Sequence, residues 1–141
     1  MNMVGEMNYF LRLHVKQKND GIFISRSKYA KNLIKKFDLE KASHKRTPAA
    51  TCLKITKDDA GTSVYQTLYR SMIGTLLYLT ANKPDITYAV GVCARYQTNL
   101  EKKSQLLQVK HIIKYVCGTI NYDIWYTKDT NPFLVGYCGA D

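Results

Sequence analysis

The chain is short of clustered cysteine, of acid and of long apolar runs, and each shortage removes a class of protein. Its four cysteines, Cys52, Cys93, Cys117 and Cys138, lie far apart with no CxxC pair, and His14, His44 and His111 stand at no ligand spacing to them. Structural zinc sites and dense disulfide frameworks need such clustering. The thiols are therefore read as small buried hydrophobes, and no metal and no cofactor is expected. No run of about eighteen apolar residues occurs, and no charged-then-apolar leader, which argues against a membrane span and a secretory signal. The expectation is an intracellular protein, with cytoplasm and nucleus not separated. Acidic side chains number eleven. Asp58-Asp59 lies in a Lys-flanked, Gly-terminated stretch with no third acid nearby, whereas two-metal phosphodiester chemistry needs several carboxylates converging on the ions. No nucleophile–base pair or phosphate-cradling glycine loop is evident either, so no catalytic residue is assigned.

What the chain does have is a core and a localised positive charge. Its 45% hydrophobic and 23% charged residues are ordinary globular composition, and a domain of this length buries a useful core. The net charge of +10 is concentrated: Arg12 through Lys57 holds thirteen Lys or Arg against three Asp or Glu, and the remainder is balanced. A basic first third points to a polyanion, because neutralised phosphates release counterions and make binding favourable and salt-sensitive. The plain alternative is a solvated lysine surface that aids solubility.

Periodicity gives the elements. Tyr9 to Lys16 alternates, with Leu11, Leu13 and Val15 on one face and Phe10, Arg12 and His14 on the other, and Asn19-Asp20-Gly21 supplies a turn before Ile22-Phe23-Ile24. This predicts a β-hairpin. After Ser25 or Ser27 as a cap, Tyr29, Leu33, Ile34 and Phe37 form an apolar stripe, with Lys28, Lys31, Lys35 and Lys36 lying away from it, a basic amphipathic helix. Asp38 to Gly61 is polar and reads as a surface loop. Helices are expected at Ser63 to Thr80, Asp85 to Tyr96 and Ser104 to Cys117, the last closed by Gly118. Short strands follow at Asp123 to Thr127 and Phe133 to Tyr137.

The stretch Tyr69 to Tyr96, YRSMIGTLLYLTANKPDITYAVGVCARY, carries the most information. Tyr65, Leu68, Tyr69, Met72, Ile73, Leu76 and Leu77 form the buried stripe expected of its first helix. On the other side Arg70, Gly74 and Tyr78 sit four apart and so stack in a row: a cation, a bare backbone and a ring. Lys83-Pro84-Asp85 stops this helix and starts the next, since Pro is tolerated at a first helical position but not inside one. In the third and fourth helices Ile86, Ala89, Val90, Cys93, Leu106, Leu107, Val109, Ile113 and Val116 read as packing. Arg95, Lys110 and Lys114 read as a solvated face.

This stretch resembles the copia-type retrotransposon Pol polyprotein, in the part of its reverse transcriptase that follows the polymerase palm. Gly5 to Val15, Ile22 to Phe37, Thr47-Pro48, Ile112 to Thr119 and Val135 to Asp141 fall in the same order. The resemblance implies that Asn8 to Val15 is similar to the primer grip, with Tyr9, Phe10 and Arg12 against nucleic acid. The family usually carries Gly where this chain has Arg12. It also implies that the basic helix (Lys28, Lys31, Lys35, Lys36) and the row Arg70, Gly74, Tyr78 resemble the thumb, which tracks a template-primer duplex. The alternative for the row is that Gly74 permits close helix packing and Tyr78 is half buried. In the family, Val-Gly-Tyr-Cys leads into an Asp-Ala-Asp that begins the ribonuclease H domain; here Gly139 replaces the first Asp.

The expected fold is therefore α+β: an N-terminal β-hairpin (1–24), a thumb-like helical bundle of about four helices (25–118), and a linker with a short C-terminal β segment (119–141). The expected activity is sequence-independent binding of an RNA/DNA hybrid or DNA duplex by a fragment that is no enzyme on its own, with the missing palm and ribonuclease H segments as protein partners. The alternative is a structural or interaction remnant, or a decayed gene product, with no nucleic-acid role.

Overall fold

The structure is a computed structural model that describes residues 8–49, 63–97 and 103–129. The expected strand at Phe133–Tyr137, the Asp58-Asp59 pair, Cys52, Cys138 and the Val135 to Asp141 motif lie outside them. The described chain is α+β. Four antiparallel strands, β1 (Tyr9–Phe10), β2 (Leu13–Lys18), β3 (Gly21–Ser25) and β4 (Ile124–Thr127), form one sheet in the order β1-β2-β3-β4. Four helices accompany it: α1 (Ser27–Lys36), α2 (Ser63–Thr80), α3 (Thr87–Ala94) and α4 (Lys103–Gly118).

The expected single hairpin is two. The chain turns at Leu11-Arg12, so Phe10 pairs with Leu13 and Tyr9 with His14, and the alternation read continuously through Leu11 and Arg12 is broken there. The second turn falls at Asn19-Asp20, between Lys18 and its partner Gly21. Gly21 also pairs with Thr127 of β4, and a side chain there would run into the Tyr126 carbonyl and lie 2.8 Å from Trp125 Cζ2. Only a glycine lets the Trp125 ring lie so close to the strand.

The core belongs to the helices. Ala30, Leu33 and Ile34 of α1 meet Tyr69, Met72, Ile73, Leu76 and Leu79 of α2, Ala89, Val90 and Cys93 of α3, and Leu106, Val109, Ile112, Ile113 and Val116 of α4. Each fully buried Leu or Ile contributes about 1.5–3 kcal/mol. Tyr29 and Phe37 are only partly buried against this cluster. Leu77 and Leu107, expected in buried stripes, are instead 44% and 56% exposed. Each lies one residue beyond a buried Leu, Leu76 or Leu106, and a turn of 100° per residue carries it off the inward face.

Local chemistry sets the helix ends. Ser25 Oγ accepts the Ser27 N–H at 3.2 Å, satisfying one orphan donor at the start of α1. Lys35 and Lys36 occupy its last turn, where cations suit the helix dipole. The expected helix at Asp85 to Tyr96 divides into a 3-10 turn, Pro84–Ile86, and then α3. Gly118 is the last residue of α4 rather than a left-handed cap beyond it. A Cβ there would lie 3.2 Å from His44 Cβ, so its bareness admits the neighbouring 38–49 segment.

Candidate nucleic-acid interface

The β1–β2 turn holds two residues in the left-handed region, Leu11 at φ 46° and Arg12 at φ 63°. A two-residue hairpin loop with positive φ at both positions is normally filled by Asn-Gly or Gly-Gly. A side chain there costs roughly 1–2 kcal/mol. The departure from glycine at Arg12 is thus felt by the backbone, and it places an exposed guanidinium at the tip of the hairpin.

Tyr78 connects that tip to the helices. Its hydroxyl donates to the Leu11 carbonyl oxygen at 2.6 Å. The buried guanidinium of Arg26 lies 4.1 Å from the centre of the Tyr78 ring and donates through Nη1 to the Tyr78 carbonyl. A desolvated cation over a ring is worth up to about 2 kcal/mol. The Tyr29 ring packs 4.9 Å from the Tyr78 ring, and its hydroxyl donates to the Thr75 carbonyl at 3.3 Å. Burial raises the Tyr29 pKa, which keeps that hydroxyl a donor. Tyr78 remains 36% exposed while its hydroxyl and carbonyl are both held.

Along α2 from Tyr78, Gly74 is exposed, and apart from its chain neighbours and the adjacent backbone of its own helix no described atom lies within 4 Å of the position its Cβ would take. Close helix packing is therefore not its role among the described residues. Arg70, one turn further, is exposed, with Nε donating to the Gln97 carbonyl at 3.0 Å just past α3. Beside this row Lys36 Nζ lies 3.1 Å from Ser71 Oγ, so the C-terminal end of α1 runs next to it.

Of the residues singled out from sequence, Tyr9, Arg12 and Lys28 come together in one open cleft of about 480 Å³ at the start of α1, with His14, Arg26, Tyr29 and Asn32. The Tyr9 and His14 rings lie 5.0 Å apart. Phe10 is not in this group: adjacent strand residues point to opposite faces, and its pairing with Leu13 sends it to the other side of the sheet. Lys31 and Lys35 are exposed but line no part of the cleft. Arg26 and Tyr29 were not foreseen as site residues. Tyr29 occupied an apolar stripe, and no local signal in Ser25-Arg26-Ser27 marks a contact with a residue fifty-two positions away.

Among the described residues no three His, Cys, Asp or Glu side chains are grouped to hold a metal ion, and no helix is long and apolar enough to cross a membrane.

Comparison with known proteins gives the class first: the chain is homologous, over nearly its whole length, to retrovirus-related Pol polyproteins of copia-type transposons. In particular it is 29% identical over 136 residues to the Pol polyprotein from transposon RE1 of Arabidopsis thaliana, covering 96% of this chain and 9% of that protein. It is 32% identical over 127 residues to the one from transposon TNT 1-94 of Nicotiana tabacum, covering 85% and 9%. An uncharacterized mitochondrial protein of Arabidopsis thaliana is 31% identical across all of this chain, which spans 58% of it. The chain thus spans under a tenth of the polyproteins and somewhat over half of the mitochondrial protein. No family model matches the chain, and no solved structure does.

Proposed function

We propose that the chain is the part of a reverse transcriptase, an RNA-directed DNA polymerase, that follows the palm. On this reading it grips an RNA/DNA hybrid or DNA duplex without reading base sequence and without catalysing a reaction alone. The α2 row lies along a groove: Arg70 meets phosphate, Gly74 lets the backbone come close, and the partly exposed Tyr78 meets sugar. Arg12 at the hairpin tip and Lys28, Lys31, Lys35 and Lys36 of α1 add the counterion-releasing charge.

The observation that carries this reading is the open Gly74. A mid-helix glycine costs roughly 0.5–1 kcal/mol relative to alanine, and no described neighbour requires it. Close approach by a molecule outside the chain would use the missing Cβ. Fluorescence anisotropy with a labelled RNA/DNA hybrid tests it. The expected result is affinity that falls steeply with salt, and a Gly74→Ala variant that melts higher yet binds more weakly. Equal binding by both proteins would refute the role of the row, and only millimolar affinity at low salt would refute the whole reading.

A second reading, a structural piece that docks on palm or ribonuclease H segments, is supported by the sheet. Strand register places Phe10, Leu13, Val15, Ile22, Ile24, Ile124 and Tyr126 on one side, and none of them joins the helical core. Phe10, Ile22 and Tyr126 are 50%, 38% and 52% exposed. Apolar surface of this kind favours association. Gel filtration decides: a stable monomer that binds hybrid duplex counts against this second reading.

A further inference from the structure

Away from the α2 row, the stretch His44-Lys45-Arg46, the 3-10 turn and the C-terminal end of α4 enclose an open cleft of about 760 Å³. Its floor is Asn82 and Lys83, 2% and 3% exposed. The Lys83 ammonium donates to the Thr119 carbonyl at 2.6 Å and the Tyr122 carbonyl at 2.9 Å. Burial lowers its pKa, against the opposite pull of the Asp85 and Asp123 carboxylates. Asn82 Nδ2 donates to Asp123 Oδ1 at 3.3 Å, while Asn82 Oδ1 is buried with no partner among the described residues. Turning the amide over would set oxygen against carboxylate, so the unpaired group is an acceptor. A buried acceptor without a donor is costly, and a ligand that brings an N–H removes that cost.

The walls supply the rest of a ligand's chemistry. His44, Lys45 and Arg46 are exposed on one side, and the Tyr122 side chain, 75% exposed, stands on the other. Both acids in the cleft face protein donors: Asp85 Oδ2 accepts the Tyr115 hydroxyl at 2.6 Å, and Asp123 accepts from Asn82. Both carboxylates also act on the Lys83 ammonium, which leaves Lys45 and Arg46 as the exposed cations of the cleft.

We propose that this cleft binds a nucleotide, with phosphate on Lys45 and Arg46, the base stacked on Tyr122, and a base N–H given to Asn82 Oδ1. A ring of this kind beside positive charge is the usual means of holding an unpaired base. A free nucleotide and one unit of a single strand share this chemistry. None of these residues belongs to the duplex-facing row, so either site can fail without the other.

The test is calorimetric titration of the full chain with adenosine 5′-monophosphate, and anisotropy with a short single-stranded oligodeoxyadenylate. Lys45→Glu combined with Arg46→Glu is expected to weaken monophosphate binding at least about tenfold, whereas the charge-matched Lys16→Glu with Lys18→Glu leaves it unchanged. Asn82→Leu should weaken it as well; if that variant melts early, the exposed pair of substitutions decides alone. An oligonucleotide that binds more tightly than the monophosphate, and loses its gain with the same pair, identifies a strand as the ligand. Equal affinity identifies a free nucleotide. No monophosphate binding, or equal loss in both charge-reversed proteins, overturns the proposal.

Discussion

The Tyr78 hydroxyl lies 2.6 Å from the carbonyl oxygen of Leu11, so the last turns of α2 hold the tip of the β1–β2 hairpin. The bond joins residues sixty-seven apart in sequence, and it selects which surface residues face the same way. Arg12 follows the bonded carbonyl directly, and Gly74 lies one turn before the tyrosine.

Tyr78→Phe keeps the ring over Arg26 and removes only the hydroxyl. The expected loss is about 0.5–1.5 kcal/mol, the usual net value of one hydrogen bond. The effect should be local. Hydrogen exchange at the Val15 amide, which bonds the Asn8 carbonyl across the hairpin, should speed up, while amides of α4 such as Ile113 keep their protection. Unaltered Val15 protection would show that the bond does not hold the hairpin.

Arg12→Gly separates backbone strain from charge. Glycine accepts φ 63° without penalty, so the variant is expected to gain roughly 1 kcal/mol in denaturant unfolding. If Arg12 meets a phosphate, the slope of log affinity against log salt should become shallower by about 0.9. A variant that is more stable and has an unchanged slope would remove Arg12 from the interface.

Tyr115 gives a pH signature. Its hydrogen bond to the Asp85 carboxylate, with some burial, holds its pKa up at about 12, against an unfolded value near 10. The folded pKa is the higher one, so this contribution is complete below pH ~10 and disappears between ~10 and ~12. The stability difference between the native chain and Tyr115→Phe should therefore shrink across that window, because the other titrating groups are common to both and cancel. A difference that stays constant up to pH ~12 would contradict the assignment.

Much of the helical part was legible because its determinants are local. The apolar residues Leu68, Tyr69, Met72, Ile73 and Leu76, recurring at three- and four-residue intervals, mark α2, and Lys83-Pro84 marks its end. The sheet was only half legible. Leu11 and Arg12 are poor turn formers, so nothing in their chemistry interrupts the alternation, and the turn is imposed by partners such as Tyr78 that lie far along the chain. In the candidate interface, the i, i+4 spacing of Arg70, Gly74 and Tyr78 sets them in a row along α2. Arg26 was not legible, because its burial under Tyr78 is a product of tertiary packing. Lys83 was legible as a helix stop but not, with Asn82, as the floor of a cleft, for the same reason: their partners Thr119, Tyr122 and Asp123 lie beyond the end of α4.

The pairing of β3 with β4 has a kinetic consequence. Ile24 and Ile124 are direct partners although about a hundred residues separate them, so the edge of the sheet forms only after a very large loop has closed. Loop closure of that size is entropically slow relative to helix formation. The helices are thus expected to collapse first, leaving β3 with one bare edge until β4 arrives. During that interval the nascent chain exposes an unpaired strand, the state in which it is most prone to pair with another molecule of itself.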